Sequence, residues 1–224
     1  MNPPTFQIRL CENPSCGLRY PVTENHPFGD RCPACFGATR LVLTRSPASE
    51  LKLNPRIIKL TPVEVLLDNI RSAWNVGSIF RSAEGYGVQH IHLCGITPTP
   101  EAADLSKTAL GAELSIPWTY HKNSVVAGAG LRKSGRRLWA LEEDPRALPI
   151  TEAGTPRGAA RAPQGRVLVV GNELAGVDPE LLDLCHQIIY LPMQGKKRSF
   201  NVAVAFGIAI HFLNFLDQQD KIAG

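Results

Sequence analysis

Two pairs of cysteines near the N-terminus are the strongest chemical signal in this 224-residue chain. They are Cys11-x4-Cys16 and Cys32-x2-Cys35, separated by 15 residues. Each short spacing places two thiolates on one tight turn, and two such turns supply the four ligands of a tetrahedral zinc site. An iron–sulfur centre or four free thiols are the alternatives. A segment of roughly 45 residues has too few apolar side chains to fold unaided, so we predict a structural zinc site.

A second group of polar residues follows a predicted strand, in the stretch LDNIRSAWNVGSIFRSAEGYG over residues 67–87. Its apolar residues recur at helical spacing: Val76, Ile79, Phe80 and Ala83. The pattern predicts a helix that begins near Asn75, with Asn75 as its N-cap. Gly77 would leave room for Arg81 to lean back toward the start of the helix. A solvated arginine on a surface helix would explain the same pattern.

A third polar group lies in VLVVGNELAGVDPELL, residues 167–182. A strand of wholly apolar residues ends directly in Gly171 and Glu173, and Asp178 and Pro179 then open a helix. Ligands bind at the carboxyl ends of parallel strands, where Gly171 would let a ligand approach the backbone and Glu173 would act as a polar anchor. A plain turn with a solvated acid is the alternative interpretation.

A fourth group opens the last apolar segment, in LPMQGKKRSFNVAVAFGIAIHF over residues 191–212. Ser199 or Asn201 can cap the helix that follows, whose first N–H groups favour anions. That helix is apolar on all sides, which predicts burial in a core or against another subunit. The cations of the preceding turn would then crowd the rim of a pocket and could contact phosphates: Lys196, Lys197 and Arg198. A charge run that only keeps the loop solvated is the alternative.

The elements that must position these residues alternate between strand-like and helix-like segments from residue 62 onward. Predicted strands are 63–68, 91–94, 137–141, 166–170 and 188–191, and predicted helices begin near 75, 101, 178 and 201. This alternation favours an α/β fold with a mostly parallel sheet covered on both faces. We expect a small domain over 1–45, a proline-containing linker over 46–61 and the α/β domain over 62–224, with a long loop at 142–164.

Composition sets the wider limits. A net charge of +4 and a pI near 8.8 permit a polyanionic partner without requiring one. No secretory leader is visible, and the longest apolar stretch, 202–216, is too short to cross a bilayer. We therefore expect a cytoplasmic protein, in which thiols stay reduced.

The remaining cysteines and histidines have ordinary interpretations. Cys94 and Cys185 are expected as buried apolar residues. His90 and His92 could chelate a metal, but an ordinary strand face is favoured because no acidic or thiol partner is near in sequence. The glycine pairs at 85–87 and 128–130 do not complete a dinucleotide-binding motif.

Taken together, the three polar loops of the α/β domain resemble the SpoU (TrmH-type) branch of the SPOUT methyltransferases. This family transfers a methyl group from S-adenosylmethionine to the ribose 2′-hydroxyl of tRNA or rRNA. The resemblance covers about residues 60–218, with three motifs in the family's order. They are Asn75-x-Gly77-x3-Arg81, Gly171-Asn172-Glu173-x2-Gly176, and Leu191-Pro192-Met193-x-Gly195-x3-Ser199-Phe200-Asn201-Val202. Phe200 replaces the usual leucine, which changes the volume beside the adenine pocket.

The resemblance implies a dimer with a trefoil-knotted α/β domain, in which the last strand, loop and helix pass through an earlier loop. It implies a cofactor site that contains Leu141, Gly171, Asn172, Gly176, Leu191, Met193, Gly195 and Phe200. It also implies a catalytic set of Arg81 with Asn75, Glu173, Ser199 and Asn201. The resemblance assigns activation of the 2′-hydroxyl to Arg81. An arginine stays charged at neutral pH, so the alternative is that Arg81 binds the RNA phosphate and stabilises the developing alkoxide, which asks less of the site.

Two rival functions remain at this point. One is a non-catalytic zinc-ribbon RNA-binding protein with a degenerate transferase domain, although the intact catalytic set counts against it. The other is a dinucleotide-dependent oxidoreductase, for which the glycine motifs are incomplete.

Overall fold

The computed structural model describes residues 5–45, 62–154, 165–196 and 199–222, with side chains described as far as residue 214. The chain divides into two compact units, Met1–Ile58 and Lys59–Gly224. The predicted linker at 46–61 lies outside the described residues. So do residues 155–164 of the long loop, together with Lys197 and Arg198.

The N-terminal unit is built on a small antiparallel sheet. Its strands are β1 (Phe6–Cys11), β2 (Arg19–Thr23) and β3 (Thr39–Arg45), in the order β2-β1-β3. The two cysteine turns lie at the ends of these strands, where Gly17 and Phe36 adopt positive φ angles of 57° and 58°. The turns therefore bring residues that are far apart in sequence to one end of the sheet.

The C-terminal unit is a seven-stranded sheet whose paired strands all run parallel. Its strands are β4 (Val63–Asp68), β5 (Ile91–Cys94), β6 (Trp118–His121), β7 (Arg137–Leu141), β8 (Leu148–Pro149), β9 (Arg166–Val170) and β10 (Gln187–Tyr190). Their order across the sheet is β6-β5-β4-β9-β7-β10-β8. The predicted α/β class with a mostly parallel sheet is confirmed. The knot stays a prediction, because the full path of the chain includes residues 155–164.

Five helices connect these strands in the described residues. They are α1 (Ala73–Gly85), α2 (Ala103–Ala109), α3 (Ser124–Lys133), α4 (Pro179–Leu184) and α5 (Val202–Ile222). The helices α1, α2 and α5 pack on one face of the sheet, and α3 and α4 pack on the other. All five residues of β9 are buried between these layers, as its unbroken apolar run predicts. Among the described residues, no helix combines the length and apolar character that crossing a membrane requires.

The start of α1 corrects the predicted cap. Ser72, not Asn75, is the N-cap residue, and its hydroxyl accepts a hydrogen bond from the Asn75 N–H at 3.3 Å. Asn75 therefore lies inside the first turn, and its side chain is available for other partners. Asp178 caps α4 and Pro179 occupies the first turn, as predicted.

The role predicted for Gly77 is also wrong. Gly77 lies on the buried side of α1 against α2, so it makes no space for Arg81. A Cβ atom built on Gly77 would lie 2.1 Å from Thr108 Oγ1 and 2.4 Å from the Leu105 carbonyl oxygen. The glycine is needed because the two helix backbones approach closely.

Helix α5 is buried on one side only. Phe206, Ala209, Ile210 and Leu213 are buried in the core. Val204 and Ile208, by contrast, are 51% and 41% exposed. Over the described side chains, the single chain leaves one apolar side of the helix uncovered, so its predicted burial on all sides stays a prediction that requires another subunit.

Candidate active site

Loops from four neighbouring strands meet at the carboxyl edge of the sheet. They follow β4, β7, β9 and β10, and they carry the predicted motifs. A cavity of about 450 Å³ lies between the last three of these loops and the start of α5. This is the edge at which ligands bind in parallel α/β sheets.

A chain of side-chain hydrogen bonds joins the three motifs. The Asn75 amide nitrogen donates to Glu173 Oε1 at 2.9 Å, and the Asn75 carbonyl oxygen accepts from the Asn201 amide nitrogen at 3.1 Å. Asn201 also accepts from the Ala203 N–H at 2.9 Å, so it caps α5 as predicted. The start of α1, the loop after β9 and the start of α5 are thus fixed to one another.

Glu173 is held by the backbone before α1. Its carboxylate accepts from the N–H groups of Arg71 at 3.0 Å and Ser72 at 3.4 Å, in addition to Asn75. Partial burial opposes ionisation of this carboxyl, but the donors of Arg71, Asn75 and Ser72 together lower the pKa of Glu173 below its ordinary value. Glu173 is therefore an ionised anchor that joins two loops.

The turn after β9 is closed by Asn172. Its side-chain oxygen accepts from the N–H groups of Leu174 and Ala175, and its amide nitrogen donates to the Asn69 carbonyl oxygen at 2.6 Å. Its backbone N–H and carbonyl oxygen also pair with Gly176, at 3.0 and 2.9 Å. Because its side chain and its main chain are both bonded within the protein, Asn172 shapes the turn.

Two carboxylates that the sequence did not reveal support this turn. Glu142 Oε2 accepts from the Val177 N–H at 2.8 Å, and Asp68, which is buried, accepts from the Asp178 N–H at 2.8 Å. Gly176, at φ +74°, would place a Cβ atom 2.6 Å from Glu142 Oε2. Asp68 ends β4 and Glu142 follows β7. Nothing in the sequence near either acid indicates a backbone partner so far along the chain.

Most of the residues predicted for the cofactor line the cavity. From that set they are Leu141, Gly171, Asn172, Gly176, Leu191, Met193 and Phe200, and Gly195 does not line it. Of the predicted catalytic set, Glu173, Ser199 and Asn201 line the cavity, and Asn75 is bonded to two of them. The sequence motifs therefore identify residues that converge in space.

The cationic residues that were predicted to contact RNA do not line the cavity where the structure describes them. Arg81 is exposed on α1 and Lys196 is exposed on the loop after β10, and neither lines the cavity. Lys197 and Arg198 lie outside the described residues. A role for these four residues toward RNA stays a prediction.

The four N-terminal cysteines form one cluster. Their sulfur atoms all lie within 4.8 Å of one another, with Cys11 and Cys35 at 3.4 Å and Cys16 and Cys32 at 3.7 Å. Four sulfurs bound to zinc at about 2.3 Å would be about 3.8 Å apart, so the cluster fits this ion. Burial opposes ionisation of Cys32, but the N–H groups of Cys35 and Ala34 lower the pKa of its thiol to about 7. Burial raises the pKa of the Cys11 thiol to about 12, so the fit to a metal rests on the sulfur geometry.

His92 belongs to a network that the sequence did not reveal. It lies on strand β5, and its Nε2 is 3.0 Å from Glu64 Oε2 while its Nδ1 is 3.1 Å from His121 Nε2. Arg136 donates to the other oxygen of Glu64 at 2.8 Å. Glu64 is 28 positions from His92 in sequence, which is why inspection of the neighbouring residues found no acidic partner.

The fold and the cavity together define an α/β domain with a ligand site built by three bonded loops at the carboxyl edge of a parallel sheet. Residues 62–211 match the model of the SpoU rRNA Methylase family. The chain belongs to this family.

Related proteins and structures agree with this assignment. The chain is 27% identical over 149 residues to the 23S rRNA (guanosine(2553)-2′-O)-methyltransferase RlmP of Bacillus subtilis, and 25% identical over 147 residues to the tRNA (guanosine(18)-2′-O)-methyltransferase of Escherichia coli. These matches cover 66% of this chain, but only 56% and 60% of the two relatives.

Two solved structures have the same fold. The AdoMet-bound rRNA methyltransferase from Sinorhizobium meliloti is 26% identical, with a TM-score of 0.60 over 69% of this chain and 56% of that one. The TrmH/SpoU tRNA-modifying enzyme of A. aeolicus is 23% identical, with a TM-score of 0.61 over 72% of this chain and 78% of that one.

Proposed function

We propose that the protein is an enzyme that transfers a methyl group from S-adenosyl-L-methionine to the ribose 2′-hydroxyl of a tRNA or rRNA. The observation that carries this proposal is the hydrogen-bonded chain Glu173–Asn75–Asn201, which joins all three motif loops beside one cavity. The activities for which the two relatives are named and the AdoMet-bound S. meliloti structure support the same reaction.

The charge of the cavity supports this methyl donor. Glu142, Glu143 and Glu173 line it, and no lysine or arginine stands among the lining residues that the structure describes. When bound, the donor supplies a methyl group on a positively charged sulfonium, which an acidic lining attracts. A dinucleotide carries an anionic pyrophosphate, so this lining disfavours the oxidoreductase alternative.

The cofactor would lie against the predicted set of residues. Leu141, Leu191 and Phe200 offer apolar surface for the adenine, while Gly171 and Gly176 keep the turn after β9 close and free of side chains. Gly195 belongs to the predicted set but does not line the cavity. Asn172 and Met193 complete this set. Phe200 lines the cavity, so the phenylalanine that stands in place of the usual leucine changes the volume of the side chain in the cavity wall.

The catalytic residues would divide into positioning and reacting groups. Glu173, Asn75 and Asn201 position the loops, because their polar groups are already bonded to one another. The Ser199 hydroxyl lines the cavity and has no side-chain hydrogen bond to the described residues, so it is available to a ligand. A charged Arg81 would bind the RNA phosphate and stabilise the negative charge that develops on the 2′-oxygen as the hydroxyl releases its proton to solvent water.

RNA is the proposed partner of the cations near this site. Lys196 is exposed on the loop that opens the cavity, and Lys197 and Arg198 follow it in sequence. Lysine and arginine at this position suit the phosphates on either side of the reacting ribose. We expect these three residues to contribute affinity without reading sequence.

A second copy of the chain would cover the uncovered side of α5. Val204 and Ile208 on α5 are exposed together with Trp74 on α1, which is 58% exposed, and α1 packs against α5. Exposed apolar side chains on two packed helices are typical of a subunit interface. We therefore propose a homodimer.

The cysteine cluster would hold a structural zinc ion with Cys11, Cys16, Cys32 and Cys35 as ligands. Four sulfur ligands fill a tetrahedral ion, which supports a structural role. Reduced thiols also suit a cytoplasmic location. Metal analysis of the purified protein should give one zinc per chain, and Cys35→Ser should reduce this content and unfold the N-terminal sheet. A full zinc content in Cys35→Ser would contradict the four-cysteine site.

Calorimetry and methyl transfer test the main proposal. Titration with S-adenosyl-L-methionine should show binding, and labelled methyl groups should appear on ribose when the protein is incubated with total tRNA and rRNA. Preferential binding of a nicotinamide dinucleotide would support the oxidoreductase instead. RNA binding without any donor binding would support the non-catalytic alternative.

A further inference from the structure

The two faces of the N-terminal sheet are unlike. One face carries Arg9, Tyr20 and Thr39, and the segment between β2 and β3 bonds to all three. The Tyr20 hydroxyl donates to the Phe28 carbonyl oxygen at 2.7 Å, the Thr39 hydroxyl donates to the Gly29 carbonyl oxygen at 2.7 Å, and Arg9 pairs with Asp30 at 3.0 Å. The segment 24–38 therefore covers this face.

The opposite face carries three rows of residues that pair directly across the strands. The rows, read from β2 through β1 to β3, are Thr23–Phe6–Arg45, Pro21–Ile8–Leu43 and Arg19–Leu10–Arg40. Directly paired residues lie on the same side of a sheet, so these nine residues form one surface, which we call the arginine face. The hydrogen bonds that the covering segment makes to the side chains of Arg9, Tyr20 and Thr39 lie on the other face.

The arginine face combines an apolar centre with cationic margins. Phe6, Ile8 and Leu10 are half-buried along the central strand, while Arg19, Arg40 and Arg45 are exposed on the outer strands. None of the nine positions is acidic. Within residues 5–45 the three acids lie in connecting segments, at Glu12, Glu24 and Asp30. Asp30 is engaged by Arg9 on the covered face. The charge on the arginine face is therefore not neutralised by neighbours on that face.

Such a surface suits a single-stranded nucleic acid. Arg19 and Arg40 both pair with Leu10, so their backbones stand about 10 Å apart with an apolar strip between them. The guanidinium groups on both margins can contact phosphates of a single RNA strand. An unstacked base can pack on the Phe6 ring and on the apolar side chains beside it. A duplex keeps its bases stacked and would use only the cations.

We propose that the arginine face binds a single-stranded segment of the RNA substrate. This inference rests on the proposed function for the choice of RNA as the polyanion. It assigns the N-terminal unit a binding site of its own, in addition to the zinc cluster and distinct from the cations near the cavity.

Fluorescence anisotropy of the full-length protein with a labelled RNA of roughly 12 nucleotides tests the inference, with a duplex of the same length for comparison. The test variant is Arg19→Gln with Arg40→Gln. The matched control is Arg31→Gln with Lys133→Gln, which removes the same charge from exposed positions off this face. Zinc content and circular dichroism check that each variant is folded.

The double variant on the arginine face should bind the single strand about tenfold more weakly near 0.15 M salt, with a salt slope reduced by about 1.4, since each phosphate contact contributes about 0.7. Phe6→Leu should weaken single-strand binding by about fivefold or more through lost stacking, and leave duplex binding unchanged. The control variant should resemble the wild type.

Three results would overturn the inference. They are an unchanged salt slope in the arginine-face variant, equal weakening in the control, and tighter binding of the duplex than of the single strand by the wild type. Calorimetry with S-adenosyl-L-methionine separates this from the main proposal. If the protein binds the donor normally but fails the anisotropy test, the proposed function stands and the arginine-face proposal fails. If the protein does not bind the donor, the proposed function fails, and the anisotropy result alone decides whether the arginine face binds single-stranded RNA.

Discussion

At the scale of single residues, Asn75 shows how local and long-range demands differ. Its sequence position suits a helix cap, but Ser72 takes that role, so the Asn75 side chain is free to bridge Glu173 and Asn201. An amide suits this position because it donates to a carboxylate and accepts from another amide at the same time. The motif residue is therefore explained by a contact between loops, not by the helix that contains it.

Arg81→Lys tests the reacting group. A lysine keeps the charge but loses the planar fork of donors, so methyl transfer should fall by about a hundredfold or more. Donor affinity, measured by calorimetry, should stay within about twofold of the wild type, because Arg81 does not line the cavity. The matched control is Arg71→Lys, an exposed arginine that contributes only its backbone N–H to Glu173. Near-normal transfer in Arg81→Lys would contradict the proposed role.

At the scale of elements, strands rich in apolar residues were predictable and edge elements were not. The run of Arg166–Val170 matches β9 and the run of Val63–Asp68 matches β4. The edge strand β6 and the following helix α3 were missed, because β6 has exposed residues and α3 contains glycines at 128 and 130. Gly77 was recognised as a motif residue, but its reason, contact with α2, lies about 30 residues further along the chain.

Gly77→Ala should separate α1 from α2. Its Cβ would overlap Thr108 and the Leu105 backbone, and such overpacking costs about 1–3 kcal/mol, more than the roughly 1 kcal/mol that alanine gains in a helix. Urea unfolding measures the difference. Gly85→Ala is the matched control, since no atom lies within 4 Å of its added Cβ. Equal stability of the two variants would show that the helix contact is not tight.

Ile208→Asp should weaken the proposed dimer. The charge would be placed on the uncovered apolar side of α5, where burial against a second copy leaves it without a partner. Sedimentation should detect monomers at concentrations where the wild type is dimeric. Val126→Asp, at an exposed valine of α3, should leave the assembly unchanged. A monomeric wild type, or a dimeric Ile208→Asp protein, would remove the proposed interface.

At the scale of the whole molecule, the sequence identified the motif loops but not the residues that support them. Gly171, Glu173, Ser199 and Asn201 were found because each stands at a strand end or helix start, where a motif can be read locally. Asp68, which accepts from a backbone N–H 110 positions away, leaves no such local mark. The open face of the N-terminal sheet was likewise hidden, because it depends on cross-strand register.

The His92 network should make stability fall in mild acid. Burial, followed by the charge of His92, lowers the pKa values of His90 and His121 below 6.5. Because these histidines have a lower pKa in the folded state than in the unfolded state, the unfolded state binds more protons in mild acid. The free energy of unfolding therefore decreases as the pH drops below about 6.5. Nearby Glu64 and Arg136 are already paired. The thermal midpoint should fall between pH 7.5 and 5, and His121→Gln should reduce that fall. An identical fall in both proteins would contradict this.

The bond between Asn75 and Asn201 has a consequence for biosynthesis, because it joins residues 126 positions apart. During translation the cysteine turns and the first motif leave the ribosome long before the last helix exists. A nascent chain can therefore acquire its N-terminal sheet early, but it cannot complete the cavity until synthesis has passed residue 201. If the arginine face binds RNA as proposed, a prematurely terminated product could occupy that RNA without completing the cavity.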